Sequence, residues 1–148
     1  MPLELRQVYR TADYEPAYDV DNDDFGDIHW DHYPYTVRDS QKYDHYVAFD
    51  DGVEVARVEL EPNRQLHPVY VGLDVTKPIV DVWYFEVASS HRRQGVGRAV
   101  LDLVVEQYPG QTLIAFSHAD DFWAGIGWQA HDRTDGADGN SVLFAHHP

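Results

Sequence analysis

Arg92, Arg93 and Arg98 fall within seven residues of a chain that carries 11 basic and 26 acidic residues. Gln94, Gly95, Val96 and Gly97 lie between them, and the apolar run Ala99 to Val105 follows at once. A basic, glycine-bearing turn that opens a helix suits an anionic group. The first N–H groups of a helix lack intrahelical partners, and the helix dipole favours negative charge there. Glycines let a ligand approach the backbone and let the chain turn tightly. The spacing is not GxGxxG, since position 100 is Val, and it lacks the Walker-A lysine. These residues alone leave two readings open, a phosphate cradle and a structural turn that starts a helix.

Such a turn needs a strand before it and a core beneath it, and the flanking patterns supply both. Ile79 to Val87 is β-branched and aromatic and reads as a central strand. Gly95 to Tyr108 reads as a helix. Val96, Ala99, Val100, Leu103 and Val104 share one face, Leu101 and Val105 widen it until most sides are covered, and Pro109-Gly110 stops it. Thr112 to Phe116 is a further strand. Ser117-His118-Ala119-Asp120 has capping-box spacing ahead of a short helix through Phe122-Trp123, ended by Gly125 and Gly127. Trp128 to Arg133 and Ser141 to Ala145 read as a closing hairpin.

Upstream, Leu3 to Val8 alternates as a first strand. Thr11 is a plausible N-cap for a short helix with Asp13 and Glu15 in its first turn. Asp19 to Asp31 is acidic, with Phe25, Ile28 and Trp30 interleaved, and fits a short helix or an ordered loop. Tyr33-Pro34-Tyr35 marks a turn or extended segment. Tyr43 to Phe49 and Val53 to Leu60, joined by Asp50-Asp51-Gly52, form a hairpin. Val69 to Val75 reads as extended. Mixed strands and helices predict an α/β or α+β fold in a single domain, residues 1–148.

Composition narrows the chemistry. The chain has no cysteine, which removes disulfides, thiolate metal sites and a cysteine nucleophile. Nine histidines show no HExxH-type arrangement; His29, His32 and His67 are possible substrate-side groups, and His146-His147 reads as a tail. No metal is expected. The net charge of −15 repels nucleic acid and anionic membrane and favours cationic partners, although acid-rich surfaces also serve solubility. No membrane span or signal pattern is seen, so a cytoplasmic protein is expected.

Arg92-Arg93-Gln94-Gly95-Val96-Gly97 resembles the acyl-CoA binding signature of the GNAT superfamily of N-acyltransferases. Phe122-Trp123-Ala124-Gly125-Ile126-Gly127-Trp128 resembles the aromatic-pair, Gly-aromatic segment that follows the next strand in that superfamily. The resemblance covers Val82 to Trp128 well, and the first eighty residues agree in pattern only. It implies a mixed, mostly antiparallel central sheet of six to seven strands flanked by helices, with acetyl-CoA as cofactor. The pyrophosphate would lie over the amides of Gln94, Gly95, Val96, Gly97 and Arg98, with Arg92, Arg93 and Arg98 adding charge to the cofactor site. The pantetheine arm would pair along the strand carrying Phe85 and Val87, and the thioester would lie between that strand and Thr112 to Phe116. Ser117 and Trp123 would complete the cofactor site, Trp123 as a wall.

In that superfamily an amine attacks the thioester carbonyl directly. Deprotonating a lysine-like amine at pH 7 costs about 4.6 kcal/mol, and a peptide α-amine about 1 kcal/mol. A base is therefore useful in proportion to substrate basicity. Glu86, beside the implied reaction centre, is the first candidate, and His118 the second. Many members carry tyrosine where this chain has Trp123, and tryptophan is no useful acid. The resemblance thus implies an N-acetyltransferase acting on a primary amine of a small molecule or peptide. The alternative is a non-catalytic acyl-CoA-binding or regulatory domain. The acidic field favours a cationic acceptor over nucleic acid, and a homodimer is possible.

Overall fold

The computed structural model describes residues 2–31, 35–117, 119–135 and 142–148. Its strands are β1 (Leu3–Val8), β2 (Asp44–Asp50), β3 (Val53–Glu61), β4 (Ile79–Val87), β5 (Thr112–Ser117), β6 (Gln129–His131) and β7 (Val142–His146). Its helices are α1 (Val96–Glu106) and α2 (Asp120–Gly125), with 3-10 turns at Ile28–Asp31 and Ser89–His91. The sheet order is β1-β2-β3-β4-β5-β7-β6, seven strands as the upper expectation had it. β4 pairs with β5 in parallel; β1–β2, β2–β3, β5–β7 and β6–β7 are antiparallel. Two compact units divide the chain: Met1–Leu60 with Tyr84–Gln107, and Glu61–Trp83 with Tyr108–Pro148. β4 contributes its first five residues to the second unit and its last four to the first.

In the first unit, Asp51 and Gly52 both take left-handed conformations (φ 50° and 80°), which suits the two-residue turn joining β2 and β3. Val47 of β2 and Ala88, just past the end of β4, cluster with Tyr18, Phe25 and Trp30. Helix α1 buries Val96, Gly97, Val100, Leu101 and Val104. Arg98, Asp102 and Glu106 form one exposed stripe and the other eight residues are buried or half-buried, so the helix is covered on most sides, as expected. Gly95 is its N-cap, one residue outside the helix. In the second unit, Leu73, Ile79, Ile114, Leu143 and Ala145 form the core.

Four expectations need correction. Residues 11–18 form turns and bends, not a helix. The guanidinium of buried Arg10 takes up the carbonyls of Ala12, Glu15, Tyr35 and Thr36, at 3.5, 2.6, 2.6 and 3.0 Å. Tyr14 is left-handed (φ 61°), which a helix forbids. Val69 to Val75 is not a strand: left-handed Gly72 (φ 78°) breaks it, leaving a Tyr70–Arg133 bridge with Val71 N on the Asp132 carbonyl and Thr134 N on the Val69 carbonyl. The N-cap of α2 is Ala119, while Ser117 Oγ instead accepts the Ala119 N–H at 2.8 Å. His146 and His147 are not a tail. His146 ends β7, and His147 Nε2 lies 3.0 Å from buried His131 Nε2. The acidic stretch is an ordered loop closing in the Ile28–Asp31 turn. Tyr33, Pro34 and Ser141 lie outside the described residues.

Candidate active site

The chain leaves β4 through Ala88, makes the Ser89–His91 turn and enters α1 through Arg92 to Gly95. Arg92 is extended (φ −71°, ψ 154°), while Arg93 and Gly95 are left-handed (φ 61° and 77°). Backbone that alternates in hand turns successive N–H groups toward one concavity, a form suited to anions. A non-glycine residue at positive φ stores strain that the surrounding structure must hold. Arg93, Gln94, Gly95 and Arg98 are exposed, and a Cβ placed on Gly95 meets nothing within 4 Å, so the space above the turn is open.

The acidic loop ties this turn down. The Asp24 carbonyl accepts from Ser89 N and Oγ, each at 2.9 Å, and its carboxylate accepts from Ser90 N at 3.0 Å and from the Ser90 hydroxyl. The Ser90 hydroxyl bond is the main reason the Asp24 carboxyl sits below its ordinary value; desolvation opposes it, and the Ser90 amide, His91 and Arg92 add to the lowering.

Glu86 is the hub. Its Oε1 accepts from Trp30 Nε1 at 2.7 Å and Asp27 N at 3.2 Å. Its Oε2 accepts from Gly26 N at 2.9 Å and the Arg92 guanidinium at 3.2 Å. A carboxylate offers about four lone-pair positions, and four donors fill them. Arg92 also donates to the Val87 carbonyl at 3.1 Å, so its side chain folds back on β4.

On the same face lies a titratable cluster. Glu59 of β3 is buried, and its Oε2 lies 3.1 Å from His45 Nε2 and 3.3 Å from His29 Nε2. The His29 ring stacks on Tyr84 of β4 with centroids 3.4 Å apart and planes 9° off parallel. Burial, then the charges of Asp27 and Glu59, hold the Tyr84 phenol above its ordinary value.

The second unit holds the other candidates. Ser117 is buried at the end of β5, and Trp123 is buried on α2 against Phe122 (5.1 Å, 80°) and Trp128 (4.7 Å, 50°). Asp81 sits in the apolar centre of β4, pushed up to about 7 by burial; Arg64, 3.5 Å away, opposes that rise and Glu61 adds to it.

The sequence matches the Acetyltransferase (GNAT) family profile over residues 4–123. The chain belongs to the GNAT acetyltransferase family. Solved GNAT-like structures share its fold. The N-acetyltransferase YlbP of Bacillus subtilis, in complex with coenzyme A, is 19% identical over 70% of this chain and 67% of its own, with a TM-score of 0.56. The putative N-acetyl transferase YhhK of E. coli, bound to coenzyme A, is 17% identical over 99% and 100%, with a TM-score of 0.57. AtaT, complexed with acetyl-methionyl-tRNAfMet, is 13% identical over 99% and 95%, with a TM-score of 0.67. At these identities the likeness is one of fold. No curated protein matches the chain significantly.

The structure brings Phe85, Glu86, Val87 and Arg92 to Arg98 of the GNAT-type signature together in one unit, on β4 and the entry to α1. Ser117 and Trp123 belong to the other unit, and His118 and His32 lie outside the described residues. His67 is exposed. Sequence reasoning missed Asp24, Glu59, His45 and Asp81. Asp81 had a readable signal, a lone carboxylate inside Ile79-Val80-Asp81-Val82. Glu59 and His45 had none, since their pairing exists only once β2 and β3 are in register.

Proposed function

We propose that this protein is an acetyl-CoA-dependent N-acetyltransferase that acts on a primary amine of a small molecule or peptide by direct attack. Acetyl-CoA is the cofactor of this family and supplies the activated acetyl group. One observation carries the reading: the open turn from Arg92 to Arg98, with its two left-handed residues, stands at the head of α1 in a GNAT chain. Backbone N–H groups of Gln94 to Arg98 would hold the pyrophosphate, with Arg93 and Arg98 adding charge. Phe85 and Val87 would hold the pantetheine arm along β4.

Glu86 was the first candidate base. With its lone pairs filled, we assign it a positioning role that holds the loop and Arg92 on β4. A base role would require one of the four donors to withdraw.

The acceptor is best sought among cationic amines. AtaT is complexed with a tRNA, but a net charge of −15 works against RNA here. A non-catalytic acyl-CoA-binding role draws support from Trp123, which has no hydroxyl to protonate a departing thiolate and is packed among aromatic rings.

Two measurements test the proposal. Coenzyme A at 100 times its dissociation constant adds ~2.7 kcal/mol, so the melting point should rise by roughly 5–10 °C. No shift at millimolar coenzyme A would refute the cofactor assignment. Thiol release from acetyl-CoA across a panel of amines then separates transfer from mere binding.

A further inference from the structure

We propose that His131 and His147 form an acid-released latch that fastens the chain leaving β7 to the end of β6 and to residues 69–72. It stands apart from the acetyl transfer. His131 is buried and His147 is exposed, so water reaches one ring of the pair. Their Nε2 atoms are 3.0 Å apart, and the rings meet edge to face with centroids 5.2 Å apart. His131 Nδ1 lies 2.7 Å from the Val71 carbonyl. A carbonyl only accepts, so the proton of neutral His131 sits on Nδ1 and its Nε2 presents a lone pair. His147 Nε2 is then the donor. The His131 ring thereby joins two segments. The Val71 amide donates to the Asp132 carbonyl at 2.8 Å, while the Val71 carbonyl goes to the ring. Left-handed Gly72 follows, where a Cβ would lie 3.7 Å from His131 Nδ1.

Histidine is the side chain whose ordinary pKa lets it change charge near neutrality. A first proton from water, on His147 Nδ1, leaves the bond intact, since a charged ring still donates to a neutral one. A second, on His131 Nε2, sets two like-charged donors face to face. The bond is lost and His147 turns to water. His131 is left as a buried charge, which is costly until the residues around it open, and Val71 is bonded to that ring. The surrounding groups set the response. His146 ends β7, and Asp132 and Arg133 follow β6, with Arg133 held by Asp135 at 2.7 Å and lying over the Tyr70 ring. Helix α2 packs on both strands with Asp120 and Asp121 exposed, and β5 has no charged residue. Burial first, then the charges of His131 and His146, hold the His147 imidazole below its ordinary value. The stability it gives is therefore complete above the ordinary histidine value of about 6.5 and is lost as pH falls through the lowered one.

Two measurements on the full chain test the latch. Histidine ¹⁵N spectra at pH 7.5 should show His131 protonated on Nδ1 and His147 on Nε2. His131 protonated on Nε2 instead overturns the assignment. Amide hydrogen exchange at Val71 and Thr134, corrected for its intrinsic rate, should quicken at least tenfold from pH 7.5 to pH 5. His147→Gln keeps an amide donor but cannot charge, so the same change should stay within about twofold. An equal acid response in wild type and His147→Gln overturns the latch. His147→Ala lacks the donor at every pH, and its exchange at pH 7.5 should already match the wild type at pH 5. Exchange in His147→Ala as slow as wild type at pH 7.5 overturns it too.

Discussion

At the scale of single residues, Glu86 and Asp81 show how one strand gives two carboxylates opposite lives. Glu86 is saturated with donors, whereas Asp81 is buried beside Arg64 at 3.5 Å. Glu86→Gln turns one acceptor oxygen into a donor that faces other donors, at ~1–3 kcal/mol for a group left unsatisfied. The expected outcome is a lower melting point and weaker coenzyme A binding through the loosened Arg92, with the pH dependence of kcat unmoved. A kcat profile that loses its acidic limb in this variant would restore Glu86 as the base. Asp81, raised to about 7, keeps in the folded state a proton that the unfolded chain gives up near 4. Its contribution to stability is present at low pH and declines by about 1.4 kcal/mol per pH unit toward 7, then levels. Asp81→Asn should therefore gain in melting temperature over the wild type as pH rises from 5.5 to 8. An equal effect at both pH values would argue against the raised carboxyl.

At the scale of elements, the turn into α1 depends on backbone hand. Gly95→Ala meets no steric obstacle, so its cost is conformational, ~1–2 kcal/mol for a left-handed residue with a Cβ. Melting should drop by roughly 2–8 °C. Coenzyme A affinity should fall with it, measured by calorimetry; unchanged affinity would show that the turn does not hold the cofactor. This element was legible in the sequence because glycine spacing, an apolar helical stripe and a β-branched strand are local patterns. β4 was read to the residue, and α1 to within two. The loop of residues 19–31 was not legible, since its order comes from partners 32 to 66 positions away, such as Asn22 on Glu54 and Asp24 on Ser90. The helix expected after Thr11 failed for the same reason: Arg10 reaches carbonyls up to 26 residues distant.

At the scale of the whole molecule, charge is the dominant feature. A net charge of −15 sets a field that draws cations and is screened by salt. The KM for a polycationic acceptor should rise with ionic strength, while that for a monovalent amine stays nearly level. Equal salt dependence for both would remove the charge argument for acceptor class. Among the described residues no helix is long and apolar enough to cross a membrane.

The loop from Asn22 to Trp30 has one more consequence. Glu86 grips it at Gly26 and Asp27 through main-chain amides, and Asp24 reaches Ser89 through its own carbonyl. Amides and carbonyls are common to every non-proline residue. The exposed side chain of Asp23 can therefore change while the loop keeps its path, whereas the Asp27 carboxylate accepts from His29 N at 2.9 Å and holds the turn. Drift at Asp23 should therefore leave the arginine turn undisturbed. A saturation library at Asp23 should return folded proteins at high frequency, and one at Asp27 fewer, since most replacements lose the bond to His29 N; equal frequencies would show that the Asp27 carboxylate does not hold the turn.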